Sequence, residues 1–571
     1  MTTHNLPDIN ELTRWANDLF NSFPCDGSLV TAASQTLAAQ AHSPQAGVNQ
    51  AQLSEWQSAW HNTQQTEKAF DAALLNLANQ AVTGEPVITP TATQDPLEQL
   101  AKLATQSVSY PIETQELHKL LASYNTVQRV TPNLQHSSDT NVPTFYFVNA
   151  QKPAQDLAGL TAHKSFDVAT VRRDFPILRE RVNGQPLAWL DNAATTQKPQ
   201  VVIDRISEFY QHENSNIHRA AHELAARATD AYESARQTVA DFLHASSPNE
   251  IVFVRGSTEA INLVAKSWGL QNIGKGDEIV ITWLEHHANI VPWHRLCEAT
   301  GAVLKVAPVD DTGQVLLDEY SKLLTSKTKL VSFTQVSNAL GTITPAQAII
   351  ELAHRVGAKV LLDAAQSVSH LSVDVQALDC DWLAFSGHKI FAPTGIGVLY
   401  GKEELLNATQ PWQGGGNMIQ DVTFEKIIYQ DAPARFEAGT GNIADAVGLG
   451  AALQYVQSLG LPNIARYEHE LLEYASDALQ RINGLRLIGT AAEKTSVLSF
   501  VLKGHETQKI GEELNKAGIA VRSGHHCAQP ILRRFGLEST VRPSLAFYNT
   551  YEEIDRLVSV VREIQAGRLS F

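Results

Sequence analysis

A lysine, a carboxylate and a cysteine carry the chemistry that this chain offers. Lys389 lies in the run Trp382-Leu-Ala-Phe-Ser-Gly-His-Lys-Ile-Phe-Ala-Pro-Thr-Gly-Ile-Gly-Val398. An apolar strand over Asp381 to Phe385 delivers Ser386, Gly387, His388 and Lys389 into a loop, and a glycine-punctuated strand over Gly395 to Tyr400 follows. An amine that attacks a carbonyl must shed its proton near neutral pH, which burial and neighbours such as His388 promote. So placed, Lys389 can form a Schiff base. On its own it reads more readily as a surface lysine in a turn, and it is the surrounding residues that overturn that reading.

Upstream, Val360-Leu-Leu-Asp363 is a short apolar strand with a carboxylate at its C-terminal end, where open α/β sheets bind ligands. A carboxylate there can keep a pyridine nitrogen protonated and make the ring an electron sink, although an Asp at a strand end is also a common helix cap. Ile251-Val-Phe-Val-Arg-Gly-Ser-Thr-Glu259 reads as a strand, a tight turn and a helix from near Glu259. Free N–H groups at that start, with the Ser257 and Thr258 hydroxyls, suit a phosphate; an ordinary helix cap uses the same residues.

Glu285-His286-His287-Ala288-Asn289 follows another apolar strand, Glu278 to Leu284, and offers a flat imidazole for stacking on a ring. Metal binding is the weaker reading, because adjacent residues of a strand or helix rarely point at one ion. Cys527 sits in Arg522-Ser-Gly-His-His-Cys-Ala-Gln-Pro530, beside two histidines and an arginine, an electropositive setting that favours a thiolate. A free cysteine is also a common core filler, but this polar company favours a nucleophile.

The elements that must position these groups alternate strand and helix from about Leu187 to Gln454, which suits a mostly parallel mixed sheet with helices on both faces. A smaller α/β lobe is expected from 458 to 571, with a helix over Gln508 to Ala517 and a strand-turn around Arg522 that brings Cys527 over the cleft. Within 166–457, the segment 166–186 is expected to pack on the small lobe.

Composition agrees with an enzyme of the reducing cytoplasm. Four cysteines (Cys25, Cys297, Cys380, Cys527) are too few and too scattered for a disulfide framework or a zinc site. The net charge of −16 argues against nucleic acid as a partner. The start Met-Thr-Thr-His-Asn-Leu-Pro-Asp lacks the features of a secretory signal, and no apolar run approaches membrane-spanning length.

From about Phe166 to Phe571 the chain resembles the Suf-type, or group II, cysteine desulfurases, which are also selenocysteine lyases of the class V aminotransferase group. The resemblance rests on ordered motifs: Asp191-Asn-Ala-Ala-Thr-Thr-Gln-Lys-Pro199, Asn216-Ile-His-Arg219, Arg255-Gly-Ser-Thr-Glu259, Glu285-His-His-Ala-Asn289, Ser337-Asn338, Asp363-Ala-Ala-Gln366, Ser386-Gly-His-Lys389, Phe436-Glu-Ala-Gly-Thr440 and Arg522-Ser-Gly-His-His-Cys527. It implies the type I pyridoxal phosphate-dependent transferase fold, with about seven strands in the large sheet, and pyridoxal 5'-phosphate as cofactor.

Carried over position by position, the resemblance implies that Lys389 holds the cofactor as a Schiff base, Asp363 pairs with the pyridine nitrogen, Gln366 contacts the phenolic oxygen and His286 stacks on the ring. Ser257, Thr258, Ser386 and His388 would surround the phosphate, with Thr440 reaching in from the partner subunit of a homodimer. Asn338, also counted with the cofactor's contacts, and Arg542 would fix the substrate carboxylate, as a guanidinium suits a planar anion. Arg522 and His218 would line the same cleft. Cys527 would take the sulfur of L-cysteine as a persulfide, leave L-alanine, and pass the sulfur to an acceptor protein. Two rivals remain on the sequence: a kynureninase or aminotransferase of the same fold, which needs no Cys527, and a scaffold or cargo protein with a vestigial site.

Residues 1–165 are different material, with 14 acidic against 7 basic residues, rich in Gln, Ala, Thr and Pro and turn-prone at His42 to Asn49, Thr83 to Thr93 and Thr131 to Thr144. Within them Leu6 to Phe23 places Ile9, Leu12, Trp15, Ala16, Leu19 and Phe23 on one helical stripe. Further helical islands are expected from about Gln50 to Ala81 and from Asp95 to about Ser123. Periodicity cannot separate a small integrated helical domain from a partner-binding tail. The extension, ending in Phe145-Tyr146-Phe147, resembles that of cysteine desulfurases packaged in family 2 encapsulin shells. That likeness implies a largely disordered cargo-loading segment, a shell partner and a place inside a nanocompartment in the cytoplasm. A free cytoplasmic desulfurase serving iron–sulfur cluster assembly is the alternative.

Overall fold

The computed structural model describes residues 166–218 and 222–568. The helical islands expected within 1–165, the Phe145-Tyr146-Phe147 segment and Arg219 lie outside the described residues. The described residues open with α1 (Val168–Arg173), whose first turn is capped by the Asp167 carboxylate, then α2 (Gln200–Glu208) and the long α3 (Glu223–Leu243). There follow β1 (Ile251–Val254), α4 (Ser257–Val264), β2 (Glu278–Thr282), β3 (Val303–Ala307), β4 (Thr328–Thr334), β5 (Lys359–Asp363), β6 (Trp382–Ser386) and β7 (Gly397–Gly401).

These seven strands form one sheet in the order β1-β7-β6-β5-β4-β2-β3. Strand β7 runs antiparallel to both of its neighbours and the remaining pairs are parallel. The C-terminal ends of β1, β2, β4, β5 and β6 therefore share one edge, where a doubly wound sheet gathers its functional groups. This is the mixed sheet expected from the strand and helix alternation.

Residues two apart on a strand face the same side, and the alternation divides the core into two. Ile251, Phe253, Val360, Leu362, Leu383 and Phe385 belong to one buried cluster. Val252, Val254, Leu361, Ala384 and Leu399 belong to the other. Because both faces are covered, the strands read as near-continuous apolar runs, and each fully buried Leu, Ile or Phe contributes about 1.5–3 kcal/mol. One cover is α5 (Ile443–Leu459), packed on α2 and α3. A Cβ at Gly448 would lie 2.9 Å from Ile206 and one at Gly450 3.1 Å from Ala235, so the helices approach through glycine.

Next come α6 (Leu461–Gln480), β8 (Leu485–Ile488), β9 (Ser499–Leu502), α7 (Thr507–Lys516), β10 (Arg522–Gly524), β11 (Thr540–Arg542) and α8 (Tyr551–Gln565). The strands form an antiparallel sheet ordered β8-β9-β11-β10. The opening segment of the described chain packs on this lobe. Ala188–Trp189 pairs in parallel with Ile519–Ala520, Arg172 meets Glu553 at 2.9 Å, and the Phe166 ring stacks on Tyr467 at 5.0 Å.

One buried ion pair ties the Phe436-to-Thr440 segment to the sheet. Arg236 of α3 donates to both carboxylate oxygens of Glu437, at 2.7 and 3.0 Å, and its guanidinium lies over the Tyr232 and Phe253 rings. Glu437 also accepts the Phe253 amide at 2.8 Å. A buried pair of this kind holds only while its remaining polar atoms are bonded.

Backbone contact is tightest where β7 passes the turn after β1. A Cβ at Gly397 would fall 2.5 Å from Gly256 Cα and 2.6 Å from the Phe385 carbonyl oxygen, with backbone on both sides. Gly397→Ala is therefore expected to destabilise the protein by about 1–3 kcal/mol, read as a fall in thermal midpoint. An unchanged midpoint would contradict this packing.

Candidate active site

The sheet edge delivers side chains into a cavity of roughly 750 Å³ counted out to its open mouth. Of the site residues expected from sequence, it gathers Lys389, Cys527, His286, Asp363, Gln366, Ser257, Thr258, Ser386, His388, Asn338, Arg522 and Arg542 along its wall. His218 and Thr440 are not among the lining residues. His218 stands with a left-handed backbone, its Nε2 3.2 Å from Glu233. Thr440 is exposed on the surface of its own chain. A residue expected to act across a subunit boundary has no place in the cavity of its own chain.

Lys389 follows β6 in a single helical turn over Gly387–Lys389. The carbonyl of His388, one residue before it, accepts from Thr195 Oγ1 at 3.0 Å, Thr196 N at 3.0 Å, Thr196 Oγ1 at 3.2 Å and Lys198 Nζ at 3.4 Å. The Asp191-to-Pro199 motif is thus a clamp on the lysine loop. Enclosure by protein pushes the Lys389 amine down to about 8, with Asp363 opposing and Arg542 and Arg522 assisting. Burial also brings Lys198 down to about 8.

Asp363 ends β5 almost fully buried. Burial pushes its carboxyl up, while the Ala365 amide at 2.9 Å and the Lys389 charge favour the anion. Burial and then Lys389 hold His286 down at about 3, so its ring is neutral at pH 7. Its Nδ1 accepts the Ala288 amide at 3.0 Å, which leaves the proton on Nε2. His388 is lowered to about 4 by burial, Lys389 and Lys198. At the helix start, the Ser386 hydroxyl accepts the Ser257 amide at 2.9 Å and lies 2.9 Å from the Ser257 hydroxyl. Helix α4 begins at Ser257, two residues before the expected Glu259, because its first donor is met by this residue from β6.

Arg542 is the guanidinium most deeply buried in the cavity, 1% exposed. It donates to the Asn338 carbonyl at 2.8 Å and to Asp191 at 3.0 Å, and its Nε has no partner. Asn338 Oδ1 and His526 Nδ1 are likewise buried and unpartnered. All three residues line the cavity, and buried polar atoms without a partner are costly. Asp191, His526, Thr334 and the fully buried Glu285 were not singled out as site residues by sequence. Glu285 lies behind the site, its carboxyl pushed up to about 8 by burial although Thr282 and Asn289 bond it.

The class V aminotransferase family model matches residues 188–557. The chain belongs to this family. A cysteine desulfurase of Synechococcus elongatus is 68% identical over 474 residues, covering 83% of this chain and 74% of that protein. One of Klebsiella pneumoniae is 53% identical over 401 residues, 70% of this chain and 98% of that protein. The solved structure of the cysteine desulfurase CsdA of Escherichia coli, in an S-sulfonic acid form, superposes with a TM-score of 0.66 at 38% identity. It covers 71% of this chain and all of that one.

Class V enzymes of this type I fold depend on pyridoxal phosphate, and the residues present fit it. A poised amine, a buried carboxylate that feels the charge of that amine, a neutral imidazole and hydroxyls at a helix start are the donor set this cofactor requires. Among the described residues no cluster of His, Cys, Asp and Glu is placed to hold a metal, and no helix is long and apolar enough to cross a membrane.

With Lys389 as the amine that captures the cofactor, its pKa would set the pH response of cofactor uptake. In cofactor-free protein the rate of covalent capture of pyridoxal phosphate is expected to rise about tenfold per pH unit below 8 and flatten above it. Stopped-flow absorbance checks this, and a rate still climbing at pH 10 would place the amine at its ordinary value.

Proposed function

We propose that the protein is a pyridoxal phosphate-dependent cysteine desulfurase that converts L-cysteine to L-alanine and carries the sulfur on Cys527. The observation that supports it most is the presence of Cys527 on the wall of the cavity that holds Lys389, Asp363 and Arg542. An aminotransferase has no use for that thiol. The relatives named cysteine desulfurase point the same way.

Lys389 would bind the cofactor covalently, Asp363 would face its ring nitrogen, Gln366 its phenolic oxygen and His286 its ring face. Ser257, Thr258, Ser386 and His388 would surround its phosphate. Bound there, the cofactor supplies the electron sink that loosens the α-proton of an amino acid. The chain's own residues supply the rest. Arg542 and Asn338, which carry spare polar atoms, take the substrate carboxylate, and Arg522 stands at the same wall. Lys389 Nζ, poised near 8, takes and returns protons close to neutral pH. The Cys527 thiolate attacks the substrate sulfur, the S–S bond forms and the C–S bond breaks. The electron pair of that bond stays on carbon, which takes up a proton to become the methyl group of alanine. Selenocysteine presents the same groups to the same cleft. Cys527 is half-exposed and left-handed in backbone, a setting from which the persulfide can be handed to an acceptor protein.

Two finer parts of the reading concern assembly. Thr440, exposed on its own chain, would complete the cofactor site of the partner in a homodimer. Residues 1–165 would direct the enzyme into an encapsulin shell in the cytoplasm, for storage or supply of sulfur. The alignment with the Synechococcus relative is longer than the stretch from Phe166 to the C-terminus, so the likeness reaches into the extension. The Klebsiella relative is matched over 98% of its own length by 70% of this chain, which supports a role for the extension outside the basic chemistry.

Borohydride reduction of the holoenzyme followed by peptide mapping should label Lys389. Cys527→Ala should keep the cofactor absorbance and lose alanine formation from cysteine by at least about 100-fold; retention of alanine formation would remove the thiol from the mechanism. Deleting 1–165 should leave turnover intact and abolish co-purification with a shell. Loss of activity on that truncation would instead favour an integrated helical domain.

A further inference from the structure

The two adjacent-histidine motifs, His286-His287 and His525-His526, are each split by the structure. His286 and His526 line the cavity, whereas His287 and His525 do not. Instead their rings stack on each other, with centroids 5.8 Å apart and planes inclined by 29°. They come from different parts of the fold: His287 lies beyond the C-terminal end of β2, and His525 directly follows β10 in the smaller lobe.

Between them they hold both backbone groups of Cys527. The His287 amide donates to the Cys527 carbonyl at 2.8 Å, and the Cys527 amide donates to His525 Nδ1 at 3.0 Å. His287 Nε2 accepts the Gln529 amide at 3.4 Å, two residues further on. Burial and the neighbouring His525 keep His287 below the ordinary histidine range, which leaves its Nε2 free to accept. The segment needs such a hold. His526 and Cys527 have φ of 52° and 53°, so two successive non-glycine residues sit in the left-handed region, which costs about 1–2 kcal/mol for each. His526 is anchored inward by Thr540 at 2.7 Å and by Asn338 Nδ2 on its carbonyl at 2.7 Å. Among the described residues, no hydrogen bond from that inner side reaches Cys527 itself.

We infer that His287 and His525 form a clasp that positions Cys527, fixing its backbone so that the thiol is presented to the substrate sulfur. They are positioning residues for the reaction proposed above, on which the inference rests. The backbone is pinned at its amide and carbonyl while the side chain stays free to rotate, so the clasp sets where the thiol starts its approach without occupying it.

The test compares full-length holoenzyme carrying His525→Ala, His525→Asn and His287→Ala with wild type. An Asn side-chain oxygen can accept the amide two residues on, as His525 Nδ1 does, but provides no imidazole to stack. His525→Ala should lower kcat for alanine formation about five- to tenfold with KM for cysteine and the cofactor band unchanged. Site-resolved iodoacetamide labelling of Cys527 should accelerate by a similar factor as the loop loosens. His525→Asn should recover most of both losses, and His287→Ala, which keeps the amide on the Cys527 carbonyl and removes only the ring and its 3.4 Å bond to Gln529, should show a smaller change in the same direction. Wild-type kcat and labelling rate in His525→Ala, a rise in KM alone, or no recovery in His525→Asn would each overturn the clasp. If wild type makes no alanine from cysteine, the desulfurase reading fails, and the labelling comparison still decides the clasp by itself.

Discussion

Enclosing a primary amine without giving it a full counter-charge is the constraint around which this molecule is built. Lys389 is walled by protein beside a single buried carboxylate, with two guanidinium groups near enough to disfavour its proton. Such an arrangement is unstable unless the loop carrying the amine is held from elsewhere. The His388 carbonyl meets that need, because Thr195, Thr196 and Lys198 converge on it from a segment some two hundred residues earlier in the chain. Thr196 also accepts the Phe391 amide, so the same residue grips the loop on both sides of the lysine. The sheet contributes by bringing five strand ends to one edge, and the small lobe by bringing Arg542 and Cys527 across from it.

What could be read from sequence and what could not divides along the range of the interactions. The strands around Asp363 and Ser386 were legible because apolar runs with a polar residue at one end have a local cause. The lysine, the carboxylate and the cysteine were legible because their motifs stand in order along the chain. The start of α4 was placed two residues late, since its donor partner Ser386 lies far away in sequence. Asp191, which bonds Arg542, and Glu285, which sits behind Asp363, owe their places to tertiary neighbours. His218 and Thr440 were placed with the site by resemblance alone, and in the single chain both stand at the surface. The double histidines were hardest to divide: sequence could show that adjacent side chains diverge but not where each one would go.

The two halves of the core also differ in what they support. One cluster runs from the strands through α3 and α5 into the smaller lobe. The other is confined to the opposite face of the sheet, under α4 and the helices that follow it. The cavity-lining side chains rise from the edge between them, so the sheet serves as a partition rather than as a lining.

Glu437 is an anchor whose loss would be felt across a subunit boundary. It is fastened to Arg236 and to the Phe253 amide, and three residues on the chain reaches Thr440. In the proposed homodimer that threonine would reach the neighbour's cofactor phosphate. Damage at the anchor would then spare the subunit that carries it and handicap the other, so a mixed pair with one damaged copy would have one sound centre and one crippled centre, located on the opposite protomers from those a monomeric enzyme would lead one to expect.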